Sequence, residues 1–73
     1  MASYRYGIAI VDKNGLPIFY IADVDQDRFG NYYPVITNKI EYSKVFSNVK
    51  ICKDICENVV GIIPEYKAEY FRI

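Results

Sequence analysis

The chain contains no histidine and no tryptophan, and its nine Lys and Arg are cancelled by nine Asp and Glu. Without histidine it lacks the commonest general base, the commonest metal ligand and every His-assisted nucleophile. Zero net charge argues against a nucleic-acid binder, which needs a Lys/Arg excess to displace counterions. It equally argues against an acidic mimic of DNA. Glycine-rich loops that cradle phosphates are missing too. Only two cysteines are present, Cys52 and Cys56. They fall short of the four ligands of a structural zinc site. Four residues apart in a helical pattern, they share a face, but their Cβ atoms do not converge on a relaxed disulfide. Reduced thiols suit a cytoplasmic location, and both cysteines read as small core residues. No apolar run approaches the roughly 18 residues of a membrane span. Met1-Ala2-Ser3-Tyr4-Arg5 does not open like an export signal. The expectation is a protein that is not an enzyme, with no cofactor, metal, nucleic acid or membrane partner.

What the chain does have is apolar and aromatic: 52% hydrophobic residues, eight tyrosines and four phenylalanines within 73 residues. That is one domain, 1–73, with a small core and marginal stability unless it oligomerises. Residues 4–11 read Y-R-Y-G-I-A-I-V and 16–22 read L-P-I-F-Y-I-A, around the turn Asp12-Lys13-Asn14-Gly15. A half-buried hairpin alternates apolar with polar. Here Tyr4, Tyr6, Ile8 and Ile10 are strongly apolar, while Arg5, Gly7, Ala9 and Val11 are small and mostly apolar as well. The expectation is that another subunit or a partner covers the second face. Asn-Gly suits a two-residue type I′ loop, pairing Val11 with Ile18 and Ala9 with Tyr20. Asp first and Gly fourth suit a type I turn with a G1 bulge, pairing Ile10 with Ile18 and Ala9 with Phe19. The bulge is preferred. Pro17 places the start of the second strand at an edge or bulge.

Asp23 to Asn31 reads as a polar loop and Tyr32 to Thr37 as a third strand. Asn38 with Glu41 marks a helix start, and a short helical turn over Lys39 to Phe46 would align Ile40, Ser43 and Phe46. Ser47 is positioned to cap a second helix carrying Cys52, Ile55, Cys56, Val59 and Val60, with Gly61 as its C′ residue and Pro64 as a stop. Residues 66–73 alternate as a closing strand, although their composition also permits a helix. The order is β-β-β-α-β, an α+β fold with a small antiparallel sheet and one main helix packed on it. Residues 33–46, with Ile40, Ser43 and Phe46 at the patterned positions, resemble the strand, x-I-x-x-S/A-x-x-F turn and helix of small proteins from bacteriophages and other mobile elements. The resemblance implies an anti-defence, host-manipulating setting and binding rather than catalysis.

Asp23, Asp25 and Asp27 alternate like the start of a calcium loop. Arg28 then stands where that loop needs glycine, and Pro34 where it needs a bidentate glutamate. Aromatic rings on strands stack bases in single-strand RNA binders, yet Arg5-Tyr6-Gly7-Ile8-Ala9-Ile10 does not have the spacing of that motif. Tyrosine also favours protein interfaces, where it buries area at low entropic cost. The expected function is a small, self-associating, non-enzymatic protein-binding module, of the kind that inhibits a host protein. The alternative is an oligomer that binds or sequesters a small anionic, nucleotide-like signal between subunits. Arg5, Phe19, Tyr20, Arg28, Tyr32 and Tyr33 are the expected binding residues. Phe19 and Tyr20 point to opposite faces, so only one of them can lie outward.

Overall fold

The computed structural model describes residues 4–73; Met1-Ala2-Ser3, the first part of the export-signal reading, lies outside them. Strands β1 (Tyr6–Val11), β2 (Pro17–Gln26), β3 (Tyr32–Thr37) and β4 (Lys67–Arg72) form one antiparallel sheet in the order β3-β2-β1-β4, packed by helix α1 (Val49–Asn58). The expected α+β class and β-β-β-α-β order are what the chain adopts. Period-two alternation sends Ile8, Ile10 and Ile21 to the helix side. There they close with Phe46, Cys52 and Ile55 into the core, flanked by Tyr6, Phe19, Val24 and Tyr32.

The other face of β1 carries Gly7, Ala9 and Val11, and all three are buried as well. Phe71 stands opposite Gly7 and Tyr20 opposite Ala9, on the strands to either side. Their rings meet edge-on across β1, centroids 5.9 Å apart. Small side chains in the middle strand let two large ones close over it. The expected subunit or partner is therefore not needed to cover β1, because the chain's own aromatic rings cover it.

The first turn is the G1-bulge type. Gly15 N–H donates to the Asp12 carbonyl (3.0 Å), Asp12 N–H to the Leu16 carbonyl (2.9 Å), and Gly15 has φ +81°. The pairing beyond it differs from the expectation. Val11 faces Pro17, but Ile10 faces Phe19 and Ala9 faces Tyr20. A second irregularity leaves Ile18 unpaired and corrects the expected Ala9–Phe19 and Ile10–Ile18 partnerships. Pro17, which cannot donate to a ladder, sits at this irregular start of β2.

Four further expectations are corrected. β2 continues through Gln26, so the polar loop shrinks to the turn Asp27 to Asn31. The segment from Lys39 to Phe46 contains only a single 3-10 turn, Ile40–Tyr42, without a side-chain cap. Ile40, Ser43 and Phe46 therefore share no helical face. β1 and β2 pair only from Ala9 onward, and residues 44–46 fill the gap between them. Lys44 N–H donates to the Ile21 carbonyl (2.9 Å), and Tyr6 and Phe46 exchange both backbone bonds (2.8 Å each). Diverging strands leave backbone groups that must find partners, and this extended segment supplies them. Finally, Asn48 rather than Ser47 caps α1, its side chain accepting from Lys50 N–H (2.9 Å). α1 ends at Asn58, and Val60 N–H donates to the Tyr32 carbonyl (2.9 Å). Gly61 (φ +83°) turns the chain only after that contact and is not the C′ residue.

Candidate functional site

Residues 59–66 fold back across the helix side of β2 and β3, and a groove remains between them. Val60, Ile62, Ile63 and Tyr66 form one wall, and Ile10, Phe19, Pro34 and Ile36 the other, around about 420 Å³. No charged side chain lines it. Ile36 and Ile63 stay 47% and 52% exposed. The outer edge of β3 offers less. The Tyr32 carbonyl points outward to Val60, so by antiparallel alternation Pro34 also faces outward, with no N–H to give. A strand added there would lose a bond at its centre.

A larger depression of about 530 Å³ lies beside β4, wide open and mixed in polarity, with Cys56 among Lys53, Glu57 and Glu69. Burial, followed by the charges of Cys52 and Glu69, pushes the Cys56 thiol up to about 11. Burial also raises the Cys52 thiol. Both are free thiols, and at neutral pH they are protonated and poor nucleophiles. Iodoacetamide at pH 8 is expected to modify the native protein far more slowly than the urea-unfolded chain. Equal rates, followed by mass spectrometry, would show an accessible thiolate instead.

At the β2–β3 turn, Asp27 organises the backbone. Its Oδ1 accepts from Phe29 N–H (2.9 Å) and Asn31 N–H (3.0 Å), and its Oδ2 from Tyr33 Oη–H (2.9 Å) and Asn31 Nδ2–H (3.3 Å). Desolvation alone would raise this carboxyl. The bonds from Asn31, Tyr33 and Phe29 outweigh it and hold the group below its ordinary 3.8. A depressed carboxyl stabilises the fold above its unfolded value, and that contribution is lost as pH falls through the lower, folded value. The phenol of Tyr33, bonded to this carboxylate, is raised above 10.0, so its contribution holds below 10 and is lost at more alkaline pH. An NMR titration should place the Asp27 midpoint below 3.8, and Tyr33→Phe should move it upward. An unchanged midpoint in that variant would exclude the Tyr33 bond. The turn holds Phe29 out at 75% exposure, the most of any large apolar residue among those described, with the Arg28 guanidinium 5.0 Å from its ring centroid.

The six expected binding residues are split by the structure. Arg28 lies in this turn over Phe29, Tyr33 bonds the turn's Asp27, and Phe19 and Tyr33 both border the groove. Tyr20 is on the opposite face against Phe71. Exposed Arg5 lies at the end of the sheet, where its carbonyl accepts from Ile73 N–H (2.8 Å). Tyr32 ties β3 to α1 through Asp54 (2.6 Å), a bond that raises its phenol's pKa. Phe29, Ile36, Ile62, Ile63 and Tyr66 are the site residues that sequence reasoning missed. Among the described residues, no group of three or more His, Cys, Asp or Glu is placed to hold a metal ion. No described helix is long and apolar enough to cross a membrane. No protein-family model, curated protein or solved structure matches the chain.

Proposed function

We propose that the protein is a non-enzymatic binding module that self-associates through the groove between β3 and residues 60–66. The observation that carries this is the uncharged groove itself, rimmed by half-exposed isoleucines. Apolar surface gathered in one concavity is how interfaces bury their anchors. A neutral chain also does not repel its own copies. In the anti-defence setting implied by the resemblance to phage proteins, the assembled module acts on a host protein.

Sedimentation equilibrium tests this with the wild type and Ile63→Lys, a substitution at an exposed rim position that leaves the core untouched. The wild type is expected to associate at micromolar concentration, and the variant to weaken association at least tenfold. A clean wild-type monomer at hundreds of micromolar would overturn the reading. A small molecule retained by that monomer in native mass spectrometry would favour the ligand-sequestering alternative.

A further inference from the structure

At the opposite end of the sheet from the groove, we infer that the free edge of β4 takes an extended segment of another protein as a fifth strand, lying beside α1 and carrying a cation opposite Glu69. This rests on the reading of the chain as a protein-binding module, but not on its self-association. The alternation of backbone bonds sets which groups are free. Ile73 N–H donates to the Arg5 carbonyl (2.8 Å), and Tyr6 turns its N–H and carbonyl the other way, to Phe46. The register from Val11–Lys67 to Tyr6–Arg72 is unbroken. Lys67, Glu69 and Phe71 therefore bond β1, and Ala68, Tyr70 and Arg72 aim N–H and carbonyl outward. Among the described residues, no other backbone group bonds these three. β4 has neither the proline nor the bulge that blunts an edge, whereas β3, at the far side of the sheet, has Pro34.

What selects an extended segment over a second copy is α1. Lys53, Cys56 and Glu57 of the helix and Ala68, Glu69 and Tyr70 of β4 enclose the depression of about 530 Å³. Burial raises the Cys56 thiol, and the Tyr70 N–H, aimed at the sulfur, lowers it. The helix thus stands directly beside the edge. A second copy pairing through its own β4 would bring a second α1 to the same side of the sheet, against the first. A lone strand brings no helix. Sulfur is a weak acceptor, so an incoming carbonyl displaces it at Tyr70.

In strand addition, main-chain bonds supply affinity and alternate side chains supply specificity. Opposite Ala68 and Tyr70 the segment's side chains turn to the helix side, where Ala68 and Cys56 are small and leave room for apolar groups. Opposite Glu69 a side chain turns to the other face. A cation suits that position, because Glu57 and Glu69 outnumber Lys53 around the depression. Lys67 lies 3.3 Å from Glu69, but along the strand rather than across it, and the Glu69 side chain stays half exposed.

The probe is the capped peptide acetyl-Thr-Val-Lys-Val-Thr-amide, titrated by NMR into isotope-labelled protein. It should bind with a Kd of about 1 mM or tighter. The amide protons of Ala68 and Tyr70 should move most, and those of Lys67 and Glu69, already bonded to β1, least. Methylating both valine nitrogens of the peptide removes two donors to the edge and should weaken binding at least tenfold. Ala68→Pro removes an outward N–H, leaves the β1 ladder intact and should do the same. Where circular dichroism shows that variant unfolded, Glu69→Lys decides: it should weaken this peptide about fivefold and prefer one with glutamate in place of lysine. No binding at about 5 mM peptide, equal binding of the methylated peptide, or no change of preference in Glu69→Lys would overturn the assignment. Weaker self-association in folded Ala68→Pro would also overturn it, by giving the edge to a second copy. Ile63→Lys should bind the peptide as the wild type does, so a failure of the groove is read separately.

Discussion

Ile8→Ala is expected to cost about 3–4 kcal/mol, from the lost burial of three carbons and the cavity left behind. For 73 residues that is a large share of a total stability of roughly 4–11 kcal/mol. Ile8 has no exposed surface, and it belongs to the core cluster with Phe46, Cys52 and Ile55. The cavity has little freedom to collapse, since β1 is held by β4 on one side and by the Tyr6–Phe46 backbone bonds on the other. Ile18→Ala provides the contrast. Ile18 is the unpaired residue of the irregular β1–β2 register and is 37% exposed. Its loss should cost under about 1 kcal/mol. Urea titrations should show the Ile8 variant with a lower midpoint at an unchanged slope. Equal losses at the two positions would mean that Ile8 is not the centre of the core.

The alternation of Tyr6, Ile8 and Ile10 made the helix side of β1 legible, as did the helical spacing of Cys52 and Ile55. The turn at Asp12 was legible from its chemistry, an aspartate that bonds its own backbone two and four residues on (2.9 and 3.0 Å). The same chemistry recurs at Asp27, where Asp27-Arg28-Phe29-Gly30 repeats the D-x-x-G spacing of Asp12-Lys13-Asn14-Gly15. Both aspartates take the N–H groups two and four residues later, and both glycines have positive φ, +81° and +87°. Read as a turn rather than as the start of a calcium loop, that repeat extends β2 to Gln26 and leaves Phe29 exposed. The extended segment 44–46 was beyond local reasoning. Its conformation is set by unpaired groups on Tyr6 and Ile21, distant in sequence, and these override the helical signal of Asn38 and Glu41. The groove was illegible for the same reason, since its two walls lie 24 to 56 residues apart in the chain.

The two faces of β1 are covered by different elements, one by α1 and the other by the rings of Tyr20 and Phe71. A doubly apolar hairpin suggests a subunit on its second face. In the structure the Tyr20 and Phe71 rings bury Gly7, Ala9 and Val11 on that face, beside a small depression of about 280 Å³, and the larger uncharged groove lies on the other side, along β3 and residues 60–66. Variants on the Tyr20 face should therefore change folding, and variants around the groove should change assembly.

Gly7→Val is the sharpest probe of that division, with an expected cost of about 2–3 kcal/mol from overpacking. Gly7 has no positive φ, so its backbone conformation does not require glycine. The close approach does: a Cβ there would lie 2.5 Å from Phe71 Cζ and 3.0 and 3.1 Å from the two Cε atoms. The ring cannot lift freely, because Tyr20 packs edge-on against it at 5.9 Å. Phe71→Ala in the same chain removes the obstacle. The double variant should then be at least about 1 kcal/mol more stable than the sum of the single changes implies. The monomer's thermal unfolding should report this coupling, while association stays within about twofold of the wild type once the protein is folded. Additive losses would show that Phe71 does not rest on Gly7. A loss of association in the folded double variant would return the second face of β1 to the interface and take the groove out of it.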